Sequence, residues 1–149
     1  MTISAKGRYG VKAMLDLALY SYENGVSAKS IAERQSIPEK YLEQILSVLR
    51  RAGLIGSIRG PSGGYFLTMP PEFITVGRIL RTVEGDLAPV KCVKQNKKGE
   101  GCKRADMCIT KYVWAMVRDG VNQVTDSITL KDLAEAYKNE VLAGYMYYI

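Results

Sequence analysis

The segment 27–67 constrains the fold of this chain more than any other, because residues that favour turns and helix ends divide it at close intervals. Ser27 is a suitable N-cap for a short helix that we expect to end near Gln35. Pro38 suits the first position of a second helix, and Gly53 is its natural end. Two short apolar runs then flank a glycine-rich turn, which predicts a hairpin. This order of elements predicts a winged helix-turn-helix.

Helical periodicity accounts for most of the remaining sequence. Apolar residues three and four positions apart predict a first helix over about 7–24, and the same spacing predicts a helix over 75–84. A long helix is expected over about 106–126, followed by a last helix over 130–137. The long helix would be a rod of about 30 Å with a single apolar stripe. Such a stripe needs another surface to lie against.

We expect three parts in a fold that is mainly α with a small β component (α+β). Residues 1–84 form a winged helix-turn-helix DNA-binding domain with a two-stranded wing. Residues 85–105 show neither helical nor strand periodicity and are predicted to form a loop that carries cysteines. Residues 106–149 contain the long helix, a C-terminal helix and a tail.

The composition favours a polyanionic partner and disfavours an enzyme. The 149 residues include 21 Lys and Arg against 15 Asp and Glu, which gives a net charge of +6. The chain has no histidine, so His-based metal sites and Ser-His or Cys-His catalysis are excluded. The C-x-x-C pair of a thiol oxidoreductase and the lysine-containing phosphate loop are also absent. No apolar run approaches the ~20 residues of a membrane span, and no signal peptide is evident, so we expect a cytoplasmic protein.

One face of the helix after Pro38 carries residue types that read base edges in a major groove. Glutamine pairs with adenine and glutamate accepts from cytosine, whereas arginine at the wing enters a minor groove. From this helix alone, an ordinary solvated face is the simpler interpretation, and the wing alone is compatible with a plain hairpin. The predicted DNA-binding residues are Lys40, Tyr41, Glu43, Gln44, Arg51, Arg59 and Gly60.

The three cysteines of the chain all lie in one short basic stretch. Cys92, Cys102 and Cys108 have the spacing C-x9-C-x5-C. Thiolates are the usual ligands of iron–sulfur clusters, and the surrounding lysines and arginines favour thiolate formation. These residues therefore predict an iron–sulfur site. Unligated redox-active thiols and a structural zinc site are the alternatives, although zinc usually has four protein ligands and C-x2-C pairs.

Four segments together resemble the Rrf superfamily of bacterial winged-helix regulators. They are the cysteine stretch and the sequences GRYGVKAMLDLAL, YLEQILSVLRRAGLIGSIRGPSGGY and DSITLKDLA. The resemblance covers nearly the whole chain. It implies a homodimeric transcriptional regulator, a repressor, on a pseudo-palindromic DNA operator, with the long helix within 106–149 as the dimerisation helix. It also implies that Tyr41, Glu43, Gln44 and Arg59 read the DNA.

Within this superfamily, the cysteine stretch is similar to the IscR-like branch, which implies a [2Fe–2S] cluster and control of cluster-assembly genes. That branch has the spacing C-x5-C-x5-C and a histidine ligand, where this chain has a longer first gap and Lys111. Asp106, Glu100, Glu84 or a backbone group remain candidates for the fourth ligand. Both termini are similar to the CymR-like branch instead. That similarity implies a repressor of cysteine metabolism that is signalled by a cysteine-synthase partner at the C-terminal tail, with the cysteines acting as redox thiols.

Overall fold

The computed structural model describes residues 1–21, 24–95 and 102–147, except for the side chains of 145–147. It is mostly helical with one small antiparallel sheet in the described part, as predicted from the sequence. Short 3₁₀ turns lie at 71–73, 91–93 and 105–107. The regular elements are α1 (Ala5–Tyr20), α2 (Ala28–Gln35), α3 (Glu39–Arg51), β1 (Ile55–Ile58), β2 (Gly64–Leu67), α4 (Val76–Glu84), α5 (Lys111–Ser127) and α6 (Leu130–Tyr147).

The helix-turn-helix of α2 and α3 begins and turns at the residues that the sequence indicates. The Ser27 hydroxyl accepts a hydrogen bond from the backbone N–H of Ser30 and so caps α2. Ser36 has a left-handed backbone (φ 53°), which makes the turn between the helices tight. Pro38 is the N-cap of α3 rather than its first residue. The prediction of a helix-turn-helix is confirmed.

The wing is a hairpin whose packing on the rest of the domain depends on a glycine at the start of β2. β1 and β2 pair antiparallel from Ile55 opposite Leu67 to Ile58 opposite Gly64. Gly64 has φ 153° and lies directly against the backbone of Val26, so that a side chain at this position would clash. Backbone hydrogen bonds between Val26 and Tyr65, the residue after Gly64, hold the wing against the segment before α2.

A single core joins α1, α3, α4 and the start of α6. Fully buried side chains come from each of these elements. Each such apolar side chain contributes about 1.5–3 kcal/mol to the free energy of unfolding. Leu130 of α6 is completely buried, and its N–H donates to the carbonyl of Ile74 before α4. The largest fully buried side chains are Met14, Leu17, Ile31, Leu42, Ile45, Leu46, Leu49, Leu54, Ile55, Ile74, Ile79 and Leu130.

Three helix boundaries differ from those predicted. The helix α1 spans Ala5–Tyr20 rather than about 7–24. It begins earlier because the Ser4 hydroxyl accepts a hydrogen bond from the N–H of Gly7 and caps the helix there. The helix α5 begins at Lys111 rather than near 106, because the backbone at Cys108 is extended and separates it from the 3₁₀ turn at 105–107. The helix α6 continues to Tyr147 instead of ending at 137, since the added residues include good helix formers.

A buried carboxylate fixes α2 on α1. Asp16 is completely buried in α1, and both of its oxygens accept hydrogen bonds from the Arg34 guanidinium, at 2.9 and 2.7 Å. The side-chain amide of Gln35 donates a third, at 3.0 Å. The hydrogen bond and charge of Asp16 raise the pKa of Arg34, whose guanidinium also lies 4.4 Å from the centre of the Tyr20 ring. This cluster fixes the position of the first helix of the helix-turn-helix.

We expect Asp16→Ala to lower the free energy of unfolding by about 2–3 kcal/mol, because it leaves a partly buried guanidinium and an amide without their acceptor. Asp119→Ala is the matched control, since Asp119 pairs with Arg118 at 2.8 Å but is mostly exposed. That variant should lose clearly less stability than Asp16→Ala, because water screens an exposed ion pair. Urea unfolding followed by circular dichroism measures both. Equal losses in the two variants would contradict a special role for Asp16.

Candidate nucleic-acid interface and thiol site

The exposed face of α3 presents polar and charged side chains along a rigid helix. Leu42, Ile45 and Leu46 are completely buried and hold α3 in the core. The opposite face leaves Glu43 and Gln44 in solvent. Base edges in a major groove are read by side chains that are placed in this way on an otherwise fixed helix.

An open groove of about 700 Å³ runs along this face. Five of the seven residues predicted to bind DNA line it, so the fold brings them together. The guanidinium of Arg51 bonds only weakly within its own helix, to Ser47 at 3.4 Å. The groove also includes Lys6 of α1, which the sequence analysis did not single out. The five are Lys40, Tyr41, Glu43, Gln44 and Arg51.

The two remaining predicted residues lie on the wing. Arg59 and Gly60 are exposed at the tip of the hairpin and do not line the groove of α3. Gly60 has φ 111°, which favours glycine, and its carbonyl accepts from the N–H of Gly63. Arg50 of α3 donates to the hydroxyl of Ser57 in β1 at 3.1 Å. The wing is therefore a separate second element that is tied to α3.

The helix α5 exposes an apolar face over most of its length. No residue of α5 is fully buried. Its inner side contacts α4, where Arg81 donates to Asn122 at 2.9 Å and pairs with Asp126 at 2.6 Å. Its outer side carries large apolar side chains, with Met116 74% exposed. Those more than half exposed along this side, including one residue two positions before α5, are Ile109, Tyr112, Val113, Met116 and Val124.

The three cysteines are free thiols at three different places. Cys92 is half-buried in the 3₁₀ turn at 91–93, Cys102 is exposed, and Cys108 is half-buried just before α5. The hydroxyl of Thr110, 3.0 Å from the Cys108 sulfur, lowers the pKa of this thiol together with the backbone of Lys111. A lowered pKa makes the thiolate of Cys108 easier to form, and the thiolate is the form in which a cysteine binds metal.

Two contacts hold the start of the cysteine loop in place. The Asp86 carboxylate accepts from the backbone N–H of Ala88 at 2.8 Å and of Gln95 at 2.7 Å, and so closes the segment around Cys92. Arg118 of α5 donates to the carbonyl of Val93 at 2.8 Å. The residue next to Cys92 is therefore bonded directly to α5.

The described part of the chain does not bring together the side chains needed to bind a metal ion. Within 1–21, 24–95 and 102–147, no three Cys, Asp or Glu side chains lie close enough to hold a metal ion. Glu84 already accepts two hydrogen bonds from Ser4, each at 2.7 Å. Asp106 lines the same cavity of about 300 Å³ as Cys108. Glu100, the other carboxylate considered as a fourth ligand, lies outside the described residues.

A helix-turn-helix with a wing, an exposed reading face on α3 and a basic chain defines a DNA-binding transcriptional regulator rather than an enzyme. A family model described as "Rrf2: Iron-dependent Transcriptional regulator" matches residues 3–136. The chain belongs to the Rrf2 family. No helix in the described ranges combines the length and apolar composition that crossing a bilayer requires.

Relatives from two branches of the family resemble the chain to a similar degree. The transcriptional regulator CymR of Bacillus subtilis is 44% identical over 149 residues, which is the full length of both proteins. IscR of Vibrio cholerae is 42% identical over 142 residues, 95% of this chain and 79% of that protein. Among solved structures, T. potens IscR has 45% identity and a TM-score of 0.78, over 99% of this chain and 96% of that one. The B. subtilis CymR structure has 43% identity and a TM-score of 0.73, over 91% and 98%.

Proposed function

We propose that the chain is an IscR-type repressor that binds a pseudo-palindromic operator as a homodimer and is controlled by an iron–sulfur cluster, most simply [2Fe–2S]. Cys92, Cys102 and Cys108 are the proposed ligands, and cluster-assembly genes are the proposed targets. Lys40, Tyr41, Glu43, Gln44 and Arg51 form the proposed reading face, with Arg59 and Gly60 on the wing. The proposal rests on the Rrf2 fold together with three free thiols in a basic stretch beside α5.

The chemistry of the donors fits such a cluster. Three thiols without a disulfide are soft ligands, and cationic residues around them offset the negative charge of a thiolate-bound cluster. Lys91 and Lys94 flank Cys92, and Lys103 and Arg104 follow Cys102. When bound, the cluster supplies sensitivity to iron supply and to oxidants. Among the described carboxylates considered as a fourth ligand, Asp106 is the better candidate, because it lines one cavity with Cys108 whereas Glu84 bonds to Ser4.

The contacts around Cys92 give ligation a route to the DNA-binding unit. The three thiols must come closer together to bind one cluster, since the described residues do not gather them. Cys92 is coupled to α5 through the Arg118–Val93 hydrogen bond, and α5 is tied to α4 through Arg81. The helix α4 packs directly on α3. Ligation at Cys92 would therefore act on α5 through these contacts, and would change the spacing of the two reading helices in a dimer.

Anaerobic purification followed by absorbance and electron paramagnetic resonance spectroscopy, with iron and sulfide assays, tests the proposal. We expect visible absorbance together with iron and acid-labile sulfide in equal amounts, about two of each per chain for [2Fe–2S]. Protein that carries neither iron nor sulfide, even after anaerobic reconstitution, would contradict it.

Full-length similarity to CymR favours a second candidate function. In that case the chain is a repressor of cysteine metabolism that a cysteine-synthase partner signals at the C-terminal tail, with the cysteines as redox thiols. The helix α6 leads into this tail and exposes Val141 and Leu142. Tyr148 and Ile149, the end of the proposed docking peptide, lie outside the described residues.

Deletion of residues 145–149 separates the two candidates. If the tail docks a cysteine synthase, the truncated chain should no longer retain the purified enzyme in a pull-down, while its affinity for DNA alone stays the same. The full-length chain with Cys92, Cys102 and Cys108 replaced by serine is the matched control and should still bind the enzyme. Capture that does not depend on the tail would reject docking at this site.

A further inference from the structure

Lys6 belongs to a different helix from the other charged residues of the α3 groove. It lies in the first turn of α1, yet it lines the groove together with Lys40, Glu43 and Arg51. Its side chain is half-buried, which is typical of a lysine whose aliphatic stem packs on the protein while its ammonium group stays in solvent. The groove therefore has a second wall that α3 does not provide.

This wall is fixed relative to α3. Ser4 caps α1, and Glu84 at the end of α4 accepts from both the N–H and the hydroxyl of Ser4 at 2.7 Å. The rings of Tyr9 in α1 and Tyr41 in α3 meet edge to face, with their centres 5.8 Å apart. The first turn of α1 thus keeps a constant position beside the proposed reading face.

The dimensions of DNA indicate what Lys6 would meet. Helices that pack together have axes about 8–10 Å apart, whereas the major groove of B-DNA is about 12 Å wide and is filled by a single helix. When α3 occupies the groove, a helix packed against it lies above the groove's edge, where the sugar-phosphate backbone runs. The three cations that line the protein groove outnumber its single carboxylate, Glu43, which suits an anionic ligand.

We infer that Lys6 binds a backbone phosphate of the duplex at the edge of the major groove that α3 reads. It extends the DNA contact onto α1 and contributes affinity without sequence preference, because every nucleotide carries the same phosphate. The inference rests on the proposed reading face of α3.

Lys6→Gln and the matched variant Lys12→Gln test it by fluorescence anisotropy on an operator duplex and a scrambled duplex. Lys12 lies on the same helix and is exposed, but it does not line the groove. Log K falls as log salt rises, and Lys6→Gln should make this slope less steep by about 0.9 for each bound protomer. The advantage of the parent protein should shrink about 3–4-fold per contact between 50 and 200 mM salt, equally on both duplexes. Lys12→Gln should leave the slope unchanged.

Thermal unfolding of both variants shows whether the fold is kept. An unchanged slope for Lys6→Gln would overturn the inference, and so would an equal decrease for Lys12→Gln. A loss on the operator alone would also overturn it, because it would indicate a base contact. Gln44→Ala in the same assay tests the reading face itself and should reduce operator preference about 5–150-fold. If Gln44→Ala keeps full preference, the reading face is wrong, whatever Lys6 does.

Discussion

The triple variant Cys92→Ser, Cys102→Ser, Cys108→Ser should bind no iron or sulfide, show no visible absorbance, and bind its operator with one affinity under all iron and oxidant conditions. Serine replaces each thiol by a hydroxyl, which is a poor ligand for iron–sulfur clusters. The parent protein should differ between its loaded and unloaded forms by about 5–150-fold in operator affinity, the range of common coupling free energies of 1–3 kcal/mol. Anisotropy titrations on anaerobic samples of both proteins measure this difference.

Met107→Ser is the matched control for this variant. It removes a sulfur atom from the same stretch, next to Cys108, but a thioether that is 89% exposed and is not a thiolate. This control should keep the absorbance and the response to loading. None of the three cysteines is fully buried, so the fold of the triple variant should remain, with nearly unchanged circular dichroism. A triple variant that still responds to iron or oxidants as the parent does would contradict the role of the thiols.

The DNA-binding unit was largely predictable because its local signals agree with its tertiary contacts. Ser27 caps α2, and the buried residues of α3 follow a strict helical period. The capping residue and the hydrophobic pattern therefore predict the same fold. The grouping of Lys40, Tyr41, Glu43, Gln44 and Arg51 in one groove also follows from helical geometry alone. Membership in the Rrf2 family, predicted from the motifs, is confirmed.

Sequence reasoning failed where a contact joins distant parts of the chain. Lys6 precedes the groove residues by more than thirty positions, and only the packing of α1 on α3 brings it beside them. The Arg118–Val93 hydrogen bond likewise has no local signature. The start of α5 was placed too early because periodicity continues through Ile109, although the extended backbone at Cys108 breaks the helix. The ligand role of the cysteines stays a prediction.

Met116→Glu should convert the proposed dimer into a monomer of 16.5 kDa. The apolar outer side of α5 is the surface that we propose two copies share, and a twofold interface places each substituted side chain in it twice. Losing the burial of two methionines costs about 3–6 kcal/mol, which weakens dimerisation by about 10²–10⁴-fold before the cost of burying the charges is added. Sedimentation equilibrium at micromolar concentration measures the change.

The same substitution should weaken operator binding much more than binding to a single half-site. Two linked α3 helices bind the operator about 10²–10⁴-fold more tightly than one. A monomer loses this gain, although its own groove along α3 is intact. Phe73→Glu is the matched control, since Phe73 is a large apolar side chain, 66% exposed, that belongs to the 3₁₀ turn at 71–73 and not to α5. It should remain dimeric and keep full operator affinity. If Met116→Glu is dimeric as well, the subunits meet through another surface, and α5 cannot set the spacing of the two α3 helices.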